Sequence, residues 1–210
     1  MIPLIATMTI AACGSSGSTT TTTSAATATA TASTSMTAMA DHDTADVTFA
    51  QDMIPHHQQA VTMAGYAATR ASSAQVKALA AQIEKAQGPE ITTMTGWLRT
   101  WGQTTASDPA SMPGMDTGAT PAMTMGVGGS SGASPAMMSD KDLMALQVLH
   151  GTEFDRMFLT MMISHHSGAL TMAATELRDG RYSPAKQLAQ SIVTSQTAQI
   201  ATMKKLLAGG

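Results

Sequence analysis

The sequence MIPHHQQAVTMA at residues 53–64 returns almost unchanged at residues 162–173, as MISHHSGALTMA. The copies are 109 residues apart, and the match extends without a gap from 46–98 to 155–207, with 19 of 53 paired positions identical. Self-similarity of this length at one constant offset indicates an internal duplication. The shared residues include two adjacent histidines with methionines on both sides of them. Such a set is unusual for a core that only packs.

The composition restricts the class of protein. The chain has 210 residues and a formal net charge of −3, which argues against a nucleic-acid-binding surface. Only 12% of the residues are charged and 3% are aromatic, whereas 19 are methionine. A core of small aliphatic residues and methionine suits closely packed helices. The sequence leaves two explanations open for the methionines, namely adaptable packing and thioether ligands for a soft metal.

The first copy predicts two helices. A helix that begins between Asp41 and Thr44 turns about 100° per residue, and this rotation places most of the shared residues on one face. That face carries Asp46, Phe49, Met53, His56, His57, Ala60, Met63 and Ala64. A second helix is predicted from a cap at Ser72 or Ser73 to about Leu98. Its inward face carries Leu79, Ala80, Ile83, Gln87, Glu90, Ile91, Met94 and Leu98. Pro55 and the pair Gly88-Pro89 are expected to bend these helices.

The second copy is preceded by a short additional helix. Ser139 and Asp142 resemble a capping box that opens a helix through His150, and Gly151 should end it. The repeat of the first helix then runs to a stop at Gly180. Ser183 is predicted to cap the last helix, with Pro184 in its first turn. The inward face of that helix carries Leu188, Ile192, Gln196, Ile200, Met203 and Leu207, and Gln199 stands at the position of Glu90.

Two hairpins with one apolar stripe per helix bury those stripes best by packing together as an antiparallel four-helix bundle. We therefore predict an all-α protein in which residues 41–101 and 139–210 form one bundle with a pseudo-twofold axis. Residues 13–40 are predicted to be a disordered tether, because almost no large side chain is present. Residues 102–138 are predicted to be a flexible Met-, Gly- and Ser-rich linker. Its methionines could wrap Cu(I) or reflect low complexity alone.

Residues 1–12 resemble the signal of an exported bacterial lipoprotein. A short apolar run ends just before Cys13, the single cysteine of the chain, and small residues before a cysteine suit lipid attachment there. No Lys or Arg precedes the run, so we expect translation to start upstream of Met1. Lipidation of Cys13 would anchor the protein in the membrane, on the outer face of the cytoplasmic membrane. The alternative is an unprocessed apolar N-terminus with a buried thiol.

The duplicated residues suit a metal site. Imidazole binds Cu, Zn, Ni and Fe, whereas thioether sulfur favours Cu(I), and a bound metal offsets the cost of burying such groups without partners. The predicted ligands are His56, His57, His165, His166, Met53, Met63, Met162, Met172, Asp46 and Asp155. Weaker candidates are Met36, Met39, His42, Met94 and Met203.

Several alternatives stay open for these residues. One histidine of each pair could orient a ligand rather than bind the metal. The methionines could be core residues only, and Asp46 and Asp155 could cap helices. His150 has no counterpart in the first copy, and no role is assigned to it.

The motif H-H-x-x-A-x-x-M-A, preceded by D-x-x-F and M-I and followed by Q-x-x-[EQ]-I-x-x-M, resembles the bacterial family catalogued as domain of unknown function 305. The resemblance covers residues 46–98 and 155–207. It implies a ferritin-like helical fold and export, often with a lipid anchor in actinobacteria. It also implies copper binding, which in some members is linked to copper tolerance.

These observations favour an extracytoplasmic copper-binding lipoprotein that sequesters or transfers copper, with binding that weakens below roughly pH 6 as imidazole is protonated. The alternative is a metal-free envelope lipoprotein whose duplicated motif forms a core and a partner surface. A ferritin-like di-iron oxidase is disfavoured, because no glutamate is followed three residues later by histidine. We find no catalytic motif and expect no enzyme. The protein partner and homo-oligomer formation are left open.

Overall fold

The computed structural model describes residues 41–104 and 135–209. Within these ranges the chain forms helices and no strand. The helices are α1 (Thr44–Arg70), α2 (Ala74–Thr100), α3 (Asp140–Val148), α4 (Gly151–Asp179) and α5 (Ser183–Ala208). The predictions for the export signal, Cys13, the tether with Met36 and Met39, and linker residues 105–134 lie outside the described residues.

The four long helices form the predicted antiparallel bundle of two hairpins. Helix α1 packs along α2, and α4 packs along α5. The hairpins meet mainly between α1 and α4, with a smaller contact between α2 and α5, while the short helix α3 touches α1 and α4. None of the helices described is long and apolar enough to cross a membrane.

Several predicted helix ends are confirmed. Asp43 and Asp46 form a capping box at the start of α1, and the Ser73 hydroxyl accepts a hydrogen bond at the start of α2. Ser139 and Asp142 form the predicted capping box of α3. Gly180 ends α4. Short polar side chains fill these positions because the first amides of a helix have no partner within it.

Two helix ends differ from the prediction. Helix α3 ends at Val148 rather than at His150, because His150 has extended backbone and Gly151 takes a left-handed φ of 66°. Helix α5 begins at Ser183, with Tyr182 as an N-cap that makes no side-chain hydrogen bond. The backbone amides of Arg181 and Tyr182, just before α5, donate to Asp46 of the other hairpin.

The core consists of two buried clusters, one towards each end of the bundle. The first contains Met63, Met162 and Met203, together with Phe154, Phe158 and Leu146. The second contains Met53, Met94 and Met172, together with Phe49, Leu98 and Trp101. The duplication maps one set of three methionines onto the other. We call these two sets the first and second methionine triads.

The predicted inward faces are largely confirmed. Every residue assigned to the inner face of α1 is buried, and Ile54 is buried as well. On α5, Ile192, Gln196 and Met203 are buried, whereas the other three assigned residues are half-buried. Both α1 and α2 continue as single helices through the prolines inside them.

Candidate metal centre

Four histidines form a buried layer between the two methionine triads. His56, His57, His165 and His166 are each at most 1% exposed. The rings of His56 and His165, which are equivalent in the duplication, face each other with centroids 3.7 Å apart and planes inclined by 35°. The pseudo-twofold axis of the bundle therefore passes between these two rings.

The other two histidines are each held by a side chain from the second helix of their own hairpin. The His57 Nε2 atom is 2.7 Å from Oε2 of Glu90, and the His166 Nε2 atom is 2.7 Å from Oε1 of Gln199. An Nε2–H that donates to such an oxygen leaves the lone pair on Nδ1. Partners of this kind fix the tautomer and orientation of metal-binding imidazoles.

Within residues 41–104 and 135–209, many polar atoms of this layer have no hydrogen-bond partner. They are both ring nitrogens of His56 and His165, Nδ1 of His57 and His166, both amide atoms of Gln87, and Oε1 of Gln196. Leaving one such buried group unpaired costs about 1–3 kcal/mol. The sequence folds despite this cost, and a metal ion that bonded several of these atoms would offset it.

Burial keeps three of the four imidazoles uncharged. Loss of water, followed by repulsion from neighbouring imidazoles, lowers the pKa of His56 to about 3 and that of His165 to about 2. Burial likewise lowers the pKa of His166 to about 4, although its bond to Gln199 acts in the opposite direction. These three imidazoles are neutral at physiological pH, which is the form that binds a metal. Protons should therefore compete with a metal well below the pH of 6 expected from the sequence.

All six predicted methionine ligands near the histidines are buried. The first triad lies on one side of the layer and the second triad lies on the other. Met94 and Met203, the weaker candidates from the second helix of each hairpin, are fully buried members of these triads. The six thioethers are therefore divided into two sets, one in each core cluster.

The donor set determines which metals fit. Within 41–104 and 135–209, no three His, Cys, Asp or Glu side chains converge in an arrangement that could hold a metal. A site in this layer must therefore draw on imidazole and thioether together. Thioether sulfur selects Cu(I), and imidazole also suits Cu(II). The residues present fit copper better than a metal that requires several carboxylates.

Asp46 and Asp155 lie at opposite ends of the bundle and make equivalent contacts. Asp46 accepts backbone hydrogen bonds from the loop before α5, at Arg181 (3.1 Å) and Tyr182 (2.9 Å). Asp155 accepts hydrogen bonds from the backbone amides of Ser72 (3.2 Å) and Ser73 (2.9 Å) before α2.

Each aspartate thus ties its hairpin to the loop of the other hairpin, which supports the capping alternative. Asp46 precedes His56 by ten residues, or about 15 Å along a helix. It is therefore far from any metal held by that imidazole. The assignment of the two aspartates as ligands stays a prediction.

Two further histidines lie outside the layer. The His42 ring stacks on Trp101 with centroids 4.5 Å apart and planes inclined by 6°. His150 is exposed, and its Nε2 atom is 3.1 Å from a guanidinium nitrogen of Arg70. The structure does not bring either residue to the four-histidine layer.

Sequence reasoning missed Glu176 as a buried acid. Its side chain is 1% exposed, and a Cβ atom on Gly180 would lie only 2.5 Å from its carboxyl carbon. Burial, followed by hydrogen bonding to Asp46 and repulsion from it, raises the pKa of Glu176 to about 8. Glu176 is therefore protonated at neutral pH and can donate to Asp46. The available signal was its position, since it replaces the inward-facing Ala67 of the first copy.

Asp46 shows the opposite shift. Burial by itself would raise its pKa, but hydrogen bonds from the amides of Asp43, Tyr182 and Arg181 and from Glu176 outweigh burial and lower the pKa. One carboxyl of the pair is therefore ionised while the other keeps its proton.

The chain is similar to a family of bacterial proteins and to several solved structures. The model of a domain of unknown function (DUF305) matches residues 46–207. A Streptomyces coelicolor DUF305 protein inferred to be secreted has 32% identity and a TM-score of 0.64, covering 79% of this chain and 93% of that one. A Deinococcus radiodurans DUF305 fragment has 28% identity and a TM-score of 0.62, covering 80% and 99%. CopM in its Cu(II)-bound form has 32% identity and a TM-score of 0.60, covering 78% and 96%. No curated protein matches the chain.

Proposed function

Because the chain belongs to the DUF305 family, we propose that it binds copper between its four buried histidines and the two methionine triads. CopM, a structural relative, has been solved with Cu(I), with Cu(II) and with silver. The observation that carries the proposal is the set of buried ring nitrogens without hydrogen-bond partners at the centre of the bundle. Thioethers on both sides of these nitrogens favour copper among the metals that imidazole binds.

The residues have different parts in this proposal. His57 and His166 present Nδ1, because Glu90 and Gln199 hold their Nε2 atoms. His56 and His165 must turn from their face-to-face contact before either ring can bind an ion outside the pair. The methionines would hold Cu(I), whereas the imidazoles suit both oxidation states. Because the hairpins are duplicated, we expect two equivalent copper sites, one at each methionine triad.

We further propose that copper is a cargo and that the protein sequesters or transfers it outside the cytoplasm. The apolar run before Cys13 and the Ser- and Thr-rich tether support an exported lipoprotein. A binding role is preferred to an enzymatic one, because the partners of His57 and His166 are Glu90 and Gln199 rather than a nucleophile.

Metal analysis of the purified protein tests this function. Protein loaded with Cu(I) or Cu(II) and then dialysed should retain copper. A variant with His56, His57, His165 and His166 all changed to Ala should lose most of it. The matched control changes the other two histidines, His42→Ala and His150→Ala, and should retain as much copper as the wild type.

Circular dichroism of each variant checks that the bundle still folds. Equal copper in the fourfold variant and in the wild type would contradict the proposal. Loss of copper in the control alone would also contradict it.

A further inference from the structure

The four residues before α3, Pro135–Met138, lie against the bundle, and we call them the strap. Gln59 of α1 holds the strap through both backbone atoms of Met138. The Gln59 Nε2 atom donates to the Met138 carbonyl (2.9 Å), and the Met138 amide donates to Oε1 of Gln59 (2.7 Å). Ala136 takes a left-handed φ of 61°, which residues other than glycine rarely adopt. The strap is therefore held in one specific position.

The other end of the strap, at Pro135, packs against Gly168 of α4. This glycine is the counterpart of Gln59 in the duplication. A Cβ atom at Gly168 would overlap the Pro135 carbonyl oxygen and lie 2.8 Å from the carbonyl carbon, so a side chain there would push the strap away. Pro135 also lies near the His56 imidazole, where its carbonyl raises the pKa of the ring and partly opposes the effect of burial. The strap thus crosses from α1 to α4 over the edge of the histidine layer.

A cavity of about 220 Å³ lies in the same groove between α1 and α4. Its walls include Asp52 of α1, Met172 and Glu176 of α4, and Pro135 of the strap. Asp52 precedes His56 by one helical turn. Pro135 of the strap therefore lies beside both the cavity and His56 of the histidine layer.

We propose that the strap is a removable cover over the histidine layer, that Gln59 latches it closed, and that copper passes from the cavity to His56 when the strap lifts. The identity of the ion rests on the proposed function, whereas strap opening is a property of the metal-free protein. The cavity suits an incoming copper ion, because Met172 supplies a thioether to its wall.

Two substitutions should open the strap by different means. Gln59→Ala removes both hydrogen bonds to Met138. Gly168→Ala places a methyl group where the Pro135 carbonyl lies, and alanine favours a helix more than glycine does. The matched controls are Gln58→Ala, at an exposed glutamine next to the latch, and Gly96→Ala, whose added Cβ would meet nothing within 4 Å.

Access to His56 is measured in the metal-free protein with diethyl pyrocarbonate, which acylates neutral imidazole nitrogens that it can reach. Peptide mass spectrometry gives the rate at His56, and the exposed His150 in the same sample is the reference. Gln59→Ala and Gly168→Ala should each raise the relative His56 rate at least tenfold, with both controls within twofold of wild type. Relative rates within twofold of wild type in both opening variants would overturn the proposal.

Copper uptake supplies the second measurement. Cu(I) buffered by bicinchoninate should enter the two opening variants faster by a similar factor, with equilibrium affinity changed by less than threefold. Unchanged uptake rates in both variants would overturn the entry route. If acylation follows the expected pattern but no variant binds copper, the strap is supported and the proposed function fails. If copper binds but acylation is unchanged, the proposed function stands and the strap fails.

Discussion

Glu176 occupies the position that Ala67 has in the first copy, and its protonated carboxyl faces Asp46 inside the bundle. Its folded pKa of about 8 lies above the ordinary value of 4.5 for a free glutamate. The native state therefore keeps a proton that the unfolded state has lost between these two pH values. The stabilisation from this proton is complete below the unfolded pKa and disappears as the pH rises through the folded one.

The variant Glu176→Gln should remove this pH dependence, because an amide can donate to Asp46 at every pH. Its free energy of unfolding relative to wild type should rise by about 1 kcal/mol per pH unit between pH 5 and pH 8. Urea unfolding at several pH values measures the difference. The exposed Glu153→Gln is the control and should show no such trend. A constant difference between Glu176→Gln and wild type would contradict a shared proton.

Individual residues were predicted well where periodicity alone determines burial. The positions of the four histidines and six methionines follow from one stripe on each helix, and the structure buries all of them. Glu176 could not be assigned in the same way. A glutamate on an inward face is usually read as the edge of a stripe. Its burial depends on Asp46, which is distant in sequence, and on the missing side chain of Gly180.

Among the helices, the two reciprocal aspartates connect the hairpins at opposite ends of the bundle. Asp46→Ala would leave the amides of Arg181 and Tyr182 unpaired, and Asp155→Ala would do the same at Ser72 and Ser73. Each change should lower the free energy of unfolding by roughly 2–4 kcal/mol. Asp46→Ala should cost more, because it also removes the partner of buried Glu176.

Denaturant unfolding checks these costs, with the exposed Asp179→Ala as the control. Copper retention distinguishes aspartates that only connect the hairpins from aspartates that bind the metal, since both variants should keep their copper if they fold. A loss of unfolding free energy no larger than that of the control would contradict the connecting role. Loss of copper from a folded Asp46→Ala or Asp155→Ala variant would instead support the prediction that the aspartates are ligands.

Helix ends were predictable where a local cap determines them, as at Asp43, Ser73 and Ser139. They were not predictable where a residue of the other hairpin supplies the partner. The loop before α5 is such a case, because its amides donate to Asp46 of the other hairpin. The strap is a similar case, since its position depends on Gln59 and Gly168 rather than on its own low-complexity sequence.

For the molecule as a whole, the neutral histidines predict strong acid sensitivity of the metal-free protein. His56, His165 and His166 have folded pKa values of about 3, 2 and 4, below the ordinary value of 6.5 for a free histidine. Below pH 6.5 the unfolded state therefore binds more protons than the native state, and stability falls as the pH falls towards these folded values. Three such groups lower the free energy of unfolding by up to about 4 kcal/mol per pH unit.

Replacing two of the rings should flatten this dependence. The double variant His56→Leu, His165→Leu should lose about two-thirds of the slope between pH 6.5 and pH 5, as measured by urea unfolding. It should also be more stable at neutral pH, because leucine leaves no buried polar atom unpaired. The control double variant His42→Ala, His150→Ala should show the same pH dependence of the free energy of unfolding as wild type. A double variant as acid-sensitive as wild type would contradict the burial of neutral imidazoles.

The bundle itself could be predicted because a duplicated hairpin with one apolar stripe per helix has few ways to bury both stripes. The contact of His56 with His165 could not, because a sequence repeat implies an axis without showing which residues meet on it. Only the packing of α1 against α4 brings these two rings together.

The aromatic residues make the two pseudo-equivalent ends optically different. Both tryptophans of the chain, Trp97 and Trp101, pack with the second methionine triad, whereas the first triad packs with Phe154 and Phe158. Tryptophan emission therefore reports on one end of the bundle and is nearly blind to the other. Successive occupation of the two ends by copper would give a fluorescence change at only one of the two steps, so the order of filling can be recorded without any added label.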